Sequence, residues 1–447
     1  VKALAAALIV AAFAGVALAL SVADTPTRAR GADGRYISWR EHRIDDEELA
    51  RVAIRGADGL AVGDLDRDGR LDIVSVHEDS SHVRIAFGTE DPDRWLTFTL
   101  AMGTSVRGPE DVDLGDLNGD GRTDIVAACE RGHLAYFEAP EDPRDMRAWK
   151  TIVPEVTRNR GTWIRVKLAD VDGDGRLEVL GANRGRTNLS YFHIRGHPSE
   201  QAAWNETVLG QNRRPINIHP VDLDGDGDLD VVGASRRERK IVWFENLGAA
   251  MRWREWPLYD AGEPRSEGFM MDFADLDRDG RLDIVTEASH GGRVFWLKQP
   301  ATHDAPWDAR HIGTIDPDRA TGLKLVDLNG DGRLDLFVGG YSAGPHGKEP
   351  DKVSPADRSG RLAWFEQPSD PTRPWMRHDV SRRRRGMYDM FVPVDVNRDG
   401  LMDLITTRGN SGAYDGVLWL EQVRTPKPVP VFRRARKQDS PEVPLPR

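Results

Sequence analysis

Carboxylates at fixed spacing are the chemically informative residues of this chain. The nonapeptide Asp64-Leu65-Asp66-Arg67-Asp68-Gly69-Arg70-Leu71-Asp72 recurs from Asp116, Asp170, Asp222, Asp275, Asp327 and Asp395, at separations of 52, 54, 52, 53, 52 and 68 residues. Positions one, three, five and nine can offer side-chain oxygens to one hard cation, and position seven its carbonyl. Position six is glycine in every copy, where a loop turning back on its own ligands needs φ > 0. All-oxygen ligation suits Ca²⁺ far better than zinc or copper, so the expected cofactor is calcium, up to seven ions. Asp-Gly sequences also make ordinary turns. Seven copies with the same four ligand positions argue for metal.

The expected ligands are Asp64, Asp66, Asp68 and Asp72 in the first copy and Asp116, Asn118, Asp120 and Asp124 in the second. The third offers Asp170, Asp172, Asp174 and Glu178, and the fourth Asp222, Asp224, Asp226 and Asp230. Then come Asp275, Asp277, Asp279 and Asp283; Asp327, Asn329, Asp331 and Asp335; and Asp395, Asn397, Asp399 and Asp403. Asn118, Asn329 and Asn397 remove a charge from copies 2, 6 and 7, which predicts weaker calcium there. An EF-hand is excluded, because position twelve (Ser75, Ala127, Gly181, Gly233, Thr286, Val338, Thr406) is never acidic.

The elements that must position these loops are strands. Ile73-Val74-Ser75-Val76 and Val231-Val232-Gly233-Ala234 are short and β-branched, so each loop reads as a hairpin tip. An aromatic strand follows (Tyr136-Phe137, Trp243-Phe244, Trp296-Leu297, Trp364-Phe365, Trp419-Leu420), then a strand led by Trp95, Trp149, Trp204, Trp253, Trp307 or Trp375. Four strands in about 50 residues make a propeller blade. The fold class is all-β, a seven-bladed β-propeller over 37–423. Trp39 and His42 match Trp375 and His378, so residues 37–44 are expected to supply the missing outer strand of blade 7 and close the ring. A Gly/Pro-rich insertion at about 341–359 explains the long sixth interval. Residues 24–36 read as a linker and the Pro/Arg-rich 424–447 as a disordered tail.

The chain opens on Val1, as a non-AUG start or a truncation would. Lys2, an apolar run from Ala3 to Leu20 and small residues to Ala23 read as a secretory signal peptide over 1–23, a membrane anchor being the rival reading. The expectation is a secreted, extracellular or periplasmic monomer with no membrane span after processing. Cys129 is the only cysteine, so calcium would take the stapling role of disulfides. The net charge of −11 is largely loop carboxylate, which seven divalent ions would offset; with the export signal it disfavours nucleic acid.

Seven copies of Asp-x-(Asp/Asn)-x-Asp-Gly-x-x-(Asp/Glu) on hairpins resemble the FG-GAP/VCBS repeat family. That family includes the integrin α-subunit propeller and secreted propeller lectins. The resemblance spans 37–422 and implies the fold and calcium; lectins, adhesion modules and some polysaccharide lyases share such propellers. The Phe-Gly word of the integrin repeats survives only at Phe87-Gly88.

With all calcium turns on one side, ligand residues belong to the opposite face. Blade 1 offers His77, Glu78, Asp79 and His82 there, and blade 2 Glu130, Arg131 and His133. Arginines gather on blades 3 and 4: Arg158, Arg160, Arg184, Arg186, Arg213, Arg214, Arg236, Arg237 and Arg239. Blade 5 adds Glu267, Glu287 and His290, and blade 7 Arg382 to Arg385, Tyr388 and Asp415. Arginine forks grip carboxylate and sulfate, so a uronate or sulfated glycan fits, although arginine also decorates ordinary solvated loops. The expectation is a binding module for a glycan or surface protein. The alternative is a sugar-processing enzyme such as a lyase, with His219 as base and Tyr388 as acid; a lone histidine beside a strand start is equally a packed residue. A structural scaffold is the third reading.

Overall fold

The short strand before each Asp-rich loop pairs with the β-branched strand after it, and these hairpins extend into seven separate sheets. The computed structural model describes residues 21–446 apart from 212, 213, 237, 239, 261–265, 267, 289, 290 and 343–352. The apolar run through residue 20, read above as part of a signal peptide, Arg213, Arg237, Arg239, Glu267, His290 and most of the insertion lie outside the described residues.

Blade 1 consists of Ala57–Gly63, Asp72–His77, His82–Phe87 and Leu96–Met102, in that order from the inner strand outward. Blades 2 to 6 repeat the order from inner strands Pro109–Gly115, Trp163–Ala169, Pro215–Val221, Met271–Ala274 and Arg319–Val326. The chain is an all-β seven-bladed propeller. Burial follows the strand order: Asp72–His77 and His82–Phe87 are buried throughout, whereas Leu96–Met102 is mostly half-exposed. The aromatic third strand fills the space between blades, with Trp243, Trp296, Trp364 and Trp419 at most 1% exposed.

Tryptophan at the start of the outer strand fastens the preceding turn. The indole N–H of Trp95, Trp149, Trp204 and Trp375 donates to the carbonyl of Pro92, Pro143, Pro198 and Pro371 at 3.0, 2.9, 2.9 and 3.1 Å. Adjacent blades are tied by an amide side chain near the end of the third strand. Asn246, Gln299, Gln367 and Gln422 each donate to loop position two of the preceding blade (Val171, Leu223, Leu276 and Leu328 carbonyls) at 2.9, 3.0, 3.2 and 3.0 Å. The blades also approach closely enough that a Cβ at Gly313 would lie 2.1 Å from the Phe365 ring.

Blade 7 contains Phe391–Val394, Asp403–Arg408 and Gly416–Thr425, and Tyr36–Asp46 pairs antiparallel with the last of these. His42 stacks on Trp419 at 4.0 Å and its Nε2 lies 2.9 Å from Glu421. In blade 6, His378 stacks on Trp364 at 4.2 Å, 2.9 Å from Glu366. The N-terminal strand thus occupies the place that Met376–Arg383 holds one blade earlier.

Residues 24–36 and 424–446 correct the reading from composition, since neither is a loose linker or tail. Phe432–Arg433 adds a parallel strand beside Trp39–Arg40. Thr27 N–H donates to the Val429 carbonyl at 2.8 Å, and Phe432 N–H to that of Ala23 at 3.1 Å. Beneath them lies an ion network. Arg383 forks onto Glu41 at 2.8 and 2.9 Å and reaches Asp439 at 3.3 Å; Arg408 meets Asp439 at 2.8 Å. Arg382 forks onto Asp318 at 2.7 and 3.0 Å, while its own N–H and the Ser381 hydroxyl bond Glu442. Composition cannot see this, because the charges that hold the tail belong to partners far away in the chain.

Candidate functional site

The seven loops share one hydrogen-bonded form. Position one accepts the N–H of the position-six glycine: Gly69 to Asp64 at 2.9 Å, Gly121 to Asp116 at 2.7 Å, Gly332 to Asp327 at 2.9 Å. All seven of these glycines have φ between 79° and 99°. Position five accepts the N–H of position seven, as in Arg70 to Asp68 at 2.9 Å. Position nine is sealed underneath. Asp72, Asp124, Glu178, Asp230, Asp283, Asp335 and Asp403 are at most 1% exposed. Each accepts the N–H of position two in its own loop, and most also that of a residue near the end of the third strand, as Gln422 gives Asp403 at 2.9 Å. Burial pushes these carboxyls up, to about 6 for Asp72 and Asp124, about 7 for Glu178, Asp230, Asp283 and Asp403, and about 8 for Asp335. Oxygens of Asp64, Asp66 and Asp72, and of Asp170, Asp172 and Asp174, come within 4.8 Å of one another. That spacing fits a cation with oxygens at about 2.4 Å.

The copies differ in what surrounds them. Lys298 places its ammonium against Asp277 and, at 2.5 Å, Asp279, so copy 5 carries a cation of its own. Arg144 reaches Asp66 at 2.6 Å and Asp68 at 3.1 Å in copy 1. In copy 3, His193 Nδ1 stands 3.3 Å from Asp172 and 3.4 Å from Glu178. Counting carboxylates put copies 1, 3, 4 and 5 on one level; these neighbours separate them.

On the opposite face the arginines do not act alike. Arg158 is bound to Gln201 at 2.9 Å and to the Val153 carbonyl, and Arg160 to Glu206 at 3.0 Å and the Val156 carbonyl. Arg184 pairs with Glu130. Burial lowers its pKa, against the pull of Glu110 and with the charges of Arg214 and Arg236 adding to the fall. Arg214 and Arg186 are exposed.

Several other residues expected on this face are structural instead. Arg382, Arg383 and Arg385 are fully buried, and Asp415 accepts N–H groups from Gly56 and Ser411 at 2.8 and 2.5 Å. Glu287 is buried and accepts the N–H of Phe269 at 2.9 Å; burial moves it up to about 8. His77, His82 and His133 are buried. The acid–base pair is also undone. Tyr388 is fully buried, its hydroxyl 3.4 Å from Arg383, and burial raises its pKa. His219 packs against the Phe273 ring at 5.4 Å, and burial with Lys167 and Arg165 nearby pushes it down to about 3. Cys129 is buried and pushed up to about 12, far from a reactive thiolate.

The inner strands hold charges that the sequence reading passed over. Lys167 meets Asp111 at 3.1 Å and Lys324 meets Asp272 at 3.0 Å; Asp58, Glu110, Arg165 and Asp389 lie toward the face opposite the loops. Their signal was present: Glu110-Asp111-Val112-Asp113 and Arg165-Val166-Lys167 put charge into strands that precede each loop, where a core strand would be apolar.

The FG-GAP-like repeat model matches residues 64–127, 170–233, 222–286 and 275–338. Cartilage acidic protein 1 of Homo sapiens is 23% identical over 330 residues, covering 66% of this chain and 49% of that protein, so the chain spans about half of its relative. Among solved structures, YCF48 from Cyanidioschyzon merolae superposes with a TM-score of 0.51 at 8% identity, over 86% of this chain and 98% of that one. BBS1N in complex with ARL6DN gives 0.52 at 11%, over 86% and 96%. At such identities these two speak for the fold alone. No helix among the described residues is long and apolar enough to cross a membrane. The repeat matches together cover more than half of the sequence, and the chain belongs to the FG-GAP-like repeat family.

Proposed function

We propose that this chain is an exported binding module: its loops hold calcium, and its opposite face binds an acidic glycan or an acidic patch of a surface protein. The observation that carries the ligand reading is that Arg214 and Arg236 of blade 4 are joined by a backbone hydrogen bond, Arg236 N–H to the Arg214 carbonyl at 3.1 Å, with Arg214 exposed, and that Arg184 of blade 3 feels the charge of both. Guanidinium forks match carboxylate and sulfate, and the exposed Arg214 is open to such a group from solvent. The sealed position-nine carboxylates and crowded loop oxygens support calcium, because a divalent ion offsets charge that burial disfavours. A relative described as cartilage acidic protein 1 is in keeping with an extracellular place.

The test is a glycan array containing uronates and sulfated sugars, run with the purified protein in calcium at low and moderate salt. Selective retention that R214A/R236A reduces at least tenfold is expected. Retention unchanged in that variant would remove the arginine site, and no retention by the parent protein would leave a protein ligand.

A further inference from the structure

Copy 3 departs from the other loops at the carboxylate that closes it. In six copies position nine is Asp, and one of its oxygens accepts a backbone N–H from near the end of the third strand. Gly88, Ala139, Asn246, Gln299, Gln367 and Gln422 give these bonds to Asp72, Asp124, Asp230, Asp283, Asp335 and Asp403, at 2.7 to 3.0 Å. In copy 3 the residue is Glu178, one methylene longer and 1% exposed. Its Oε2 takes the Val171 N–H at 3.0 Å, but among the described residues no hydrogen bond reaches Oε1. A fully buried carboxylate oxygen without a donor calls for a cation or a proton.

What that oxygen faces is an imidazole. At the end of the third strand, where other blades carry Glu138, Glu245, Lys298, Glu366 and Glu421, blade 3 carries His193. Its Nδ1 stands 3.4 Å from Glu178 Oε1 and 3.3 Å from Asp172 Oδ2, and one ligand atom of each residue lies within 4.8 Å of the others. Asp172 commits Oδ1 to the Asp174 N–H at 3.1 Å, so Oδ2 is its remaining oxygen. Histidines that hydrogen-bond a carboxylate elsewhere in the protein come closer, as His42 Nε2 to Glu421 and His378 Nε2 to Glu366, both at 2.9 Å. The longer spacing is that of ligands around one small ion, since a tetrahedron with bonds of about 2.1 Å has edges of about 3.4 Å. An imidazole nitrogen with two carboxylates suits zinc and its neighbours, whereas calcium takes oxygens. Copy 4 also gathers Asp224, Glu245 and His303, but His303 is exposed there and Glu245 already accepts the Trp256 indole N–H at 2.7 Å.

We propose that Asp172, Glu178 and His193 form a mixed nitrogen and oxygen site for a divalent transition ion of the zinc type. The half-buried His193 leaves a fourth position open to water. Two of these side chains are among the four expected to hold calcium in copy 3. The site does not rest on the calcium reading, because it needs no calcium in that loop or in any other.

Calorimetric titration of the full chain with Zn²⁺ in saturating calcium tests it, with ⁴⁵Ca²⁺ binding measured separately on the same protein. The parent is expected to hold one zinc more per chain than H193Q, and Co²⁺ in its place should give the intense visible absorption of a four-coordinate ion. E178D, whose arm matches that of the other six copies, should weaken that zinc by about tenfold or more, and it serves if H193Q loses its cooperative melt. Equal zinc count and affinity in the parent and either folded variant would overturn the proposal. Loss of zinc in H193Q from a parent that binds no calcium would uphold this site and remove the calcium reading instead.

Discussion

The loop face and the seam between blades 6 and 7 both gather charge, and they balance it in opposite ways. In the loops, acids stand within nine residues on one short segment and face a shared space, as Asp64, Asp66 and Asp72 do. At the seam, the countercharges are built into the protein. Arg383 meets Glu41 across 342 residues of sequence, and Arg408 meets Asp439. Burial would raise Asp439, but Arg408 and Arg383 outweigh it and hold it at about 2. A mobile cation can be withdrawn, whereas a guanidinium cannot. The loop face should therefore answer to solution calcium and the seam should ignore it.

Calcium removal is the largest way to test that contrast. At roughly 1 mM calcium and a site Kd of about 0.1 mM, each ion stabilises by about 1.4 kcal/mol, so several together reach the order of 5 kcal/mol. Thermal melts in EDTA should fall steeply and recover on adding calcium. An EDTA-insensitive melt would mean the loops are turns held by their own hydrogen bonds.

Breaking the seam comes next. Asp439→Ala leaves Arg408 and Arg383 buried with one carboxylate fewer, and removing one partner of a buried pair costs about 3–5 kcal/mol. Glu41 still faces Arg383, so the lower end, about 3 kcal/mol by urea unfolding, is expected. The loss should be equal with and without calcium. A calcium-dependent loss would show that the two regions are coupled rather than independent.

The same contrast explains what could be read from the chain. The loops are local, each complete within nine residues, and the position-six glycines stand at positive φ in every copy. The blade pattern is legible for the same reason: Trp419 and Trp364 announce third strands, and Trp39 with His42 announces an outer strand out of order. The seam is not local. Pro and Arg after residue 424 look like solvated tail until Arg382, Arg383 and Arg408 are placed beneath them. The candidate ligand face failed similarly. A position in a turn does not reveal that Tyr388 is buried or that Arg158 is committed to Gln201, and both depend on packing between blades.

The finest test concerns the loops alone. Lys298 leans on Asp277 and Asp279 from the third strand of blade 5, at a side-chain exposure of 19%. It behaves as a seam-like fixed cation inside the loop face. An incoming ion must displace that ammonium and forfeit its attraction, a partly screened pair worth about 0.5 kcal/mol. Lys298→Met keeps the length of the side chain and removes the charge. Calcium affinity of one loop should then rise two- to threefold, read as a change in a single phase of a ⁴⁵Ca²⁺ titration, while the other phases stay in place. No change would mean that the lysine swings clear at no cost, and that carboxylate number alone ranks the copies. A fall in affinity would mean that the lysine orients Asp277 and Asp279 for the ion, making it an organiser of the loop rather than its competitor.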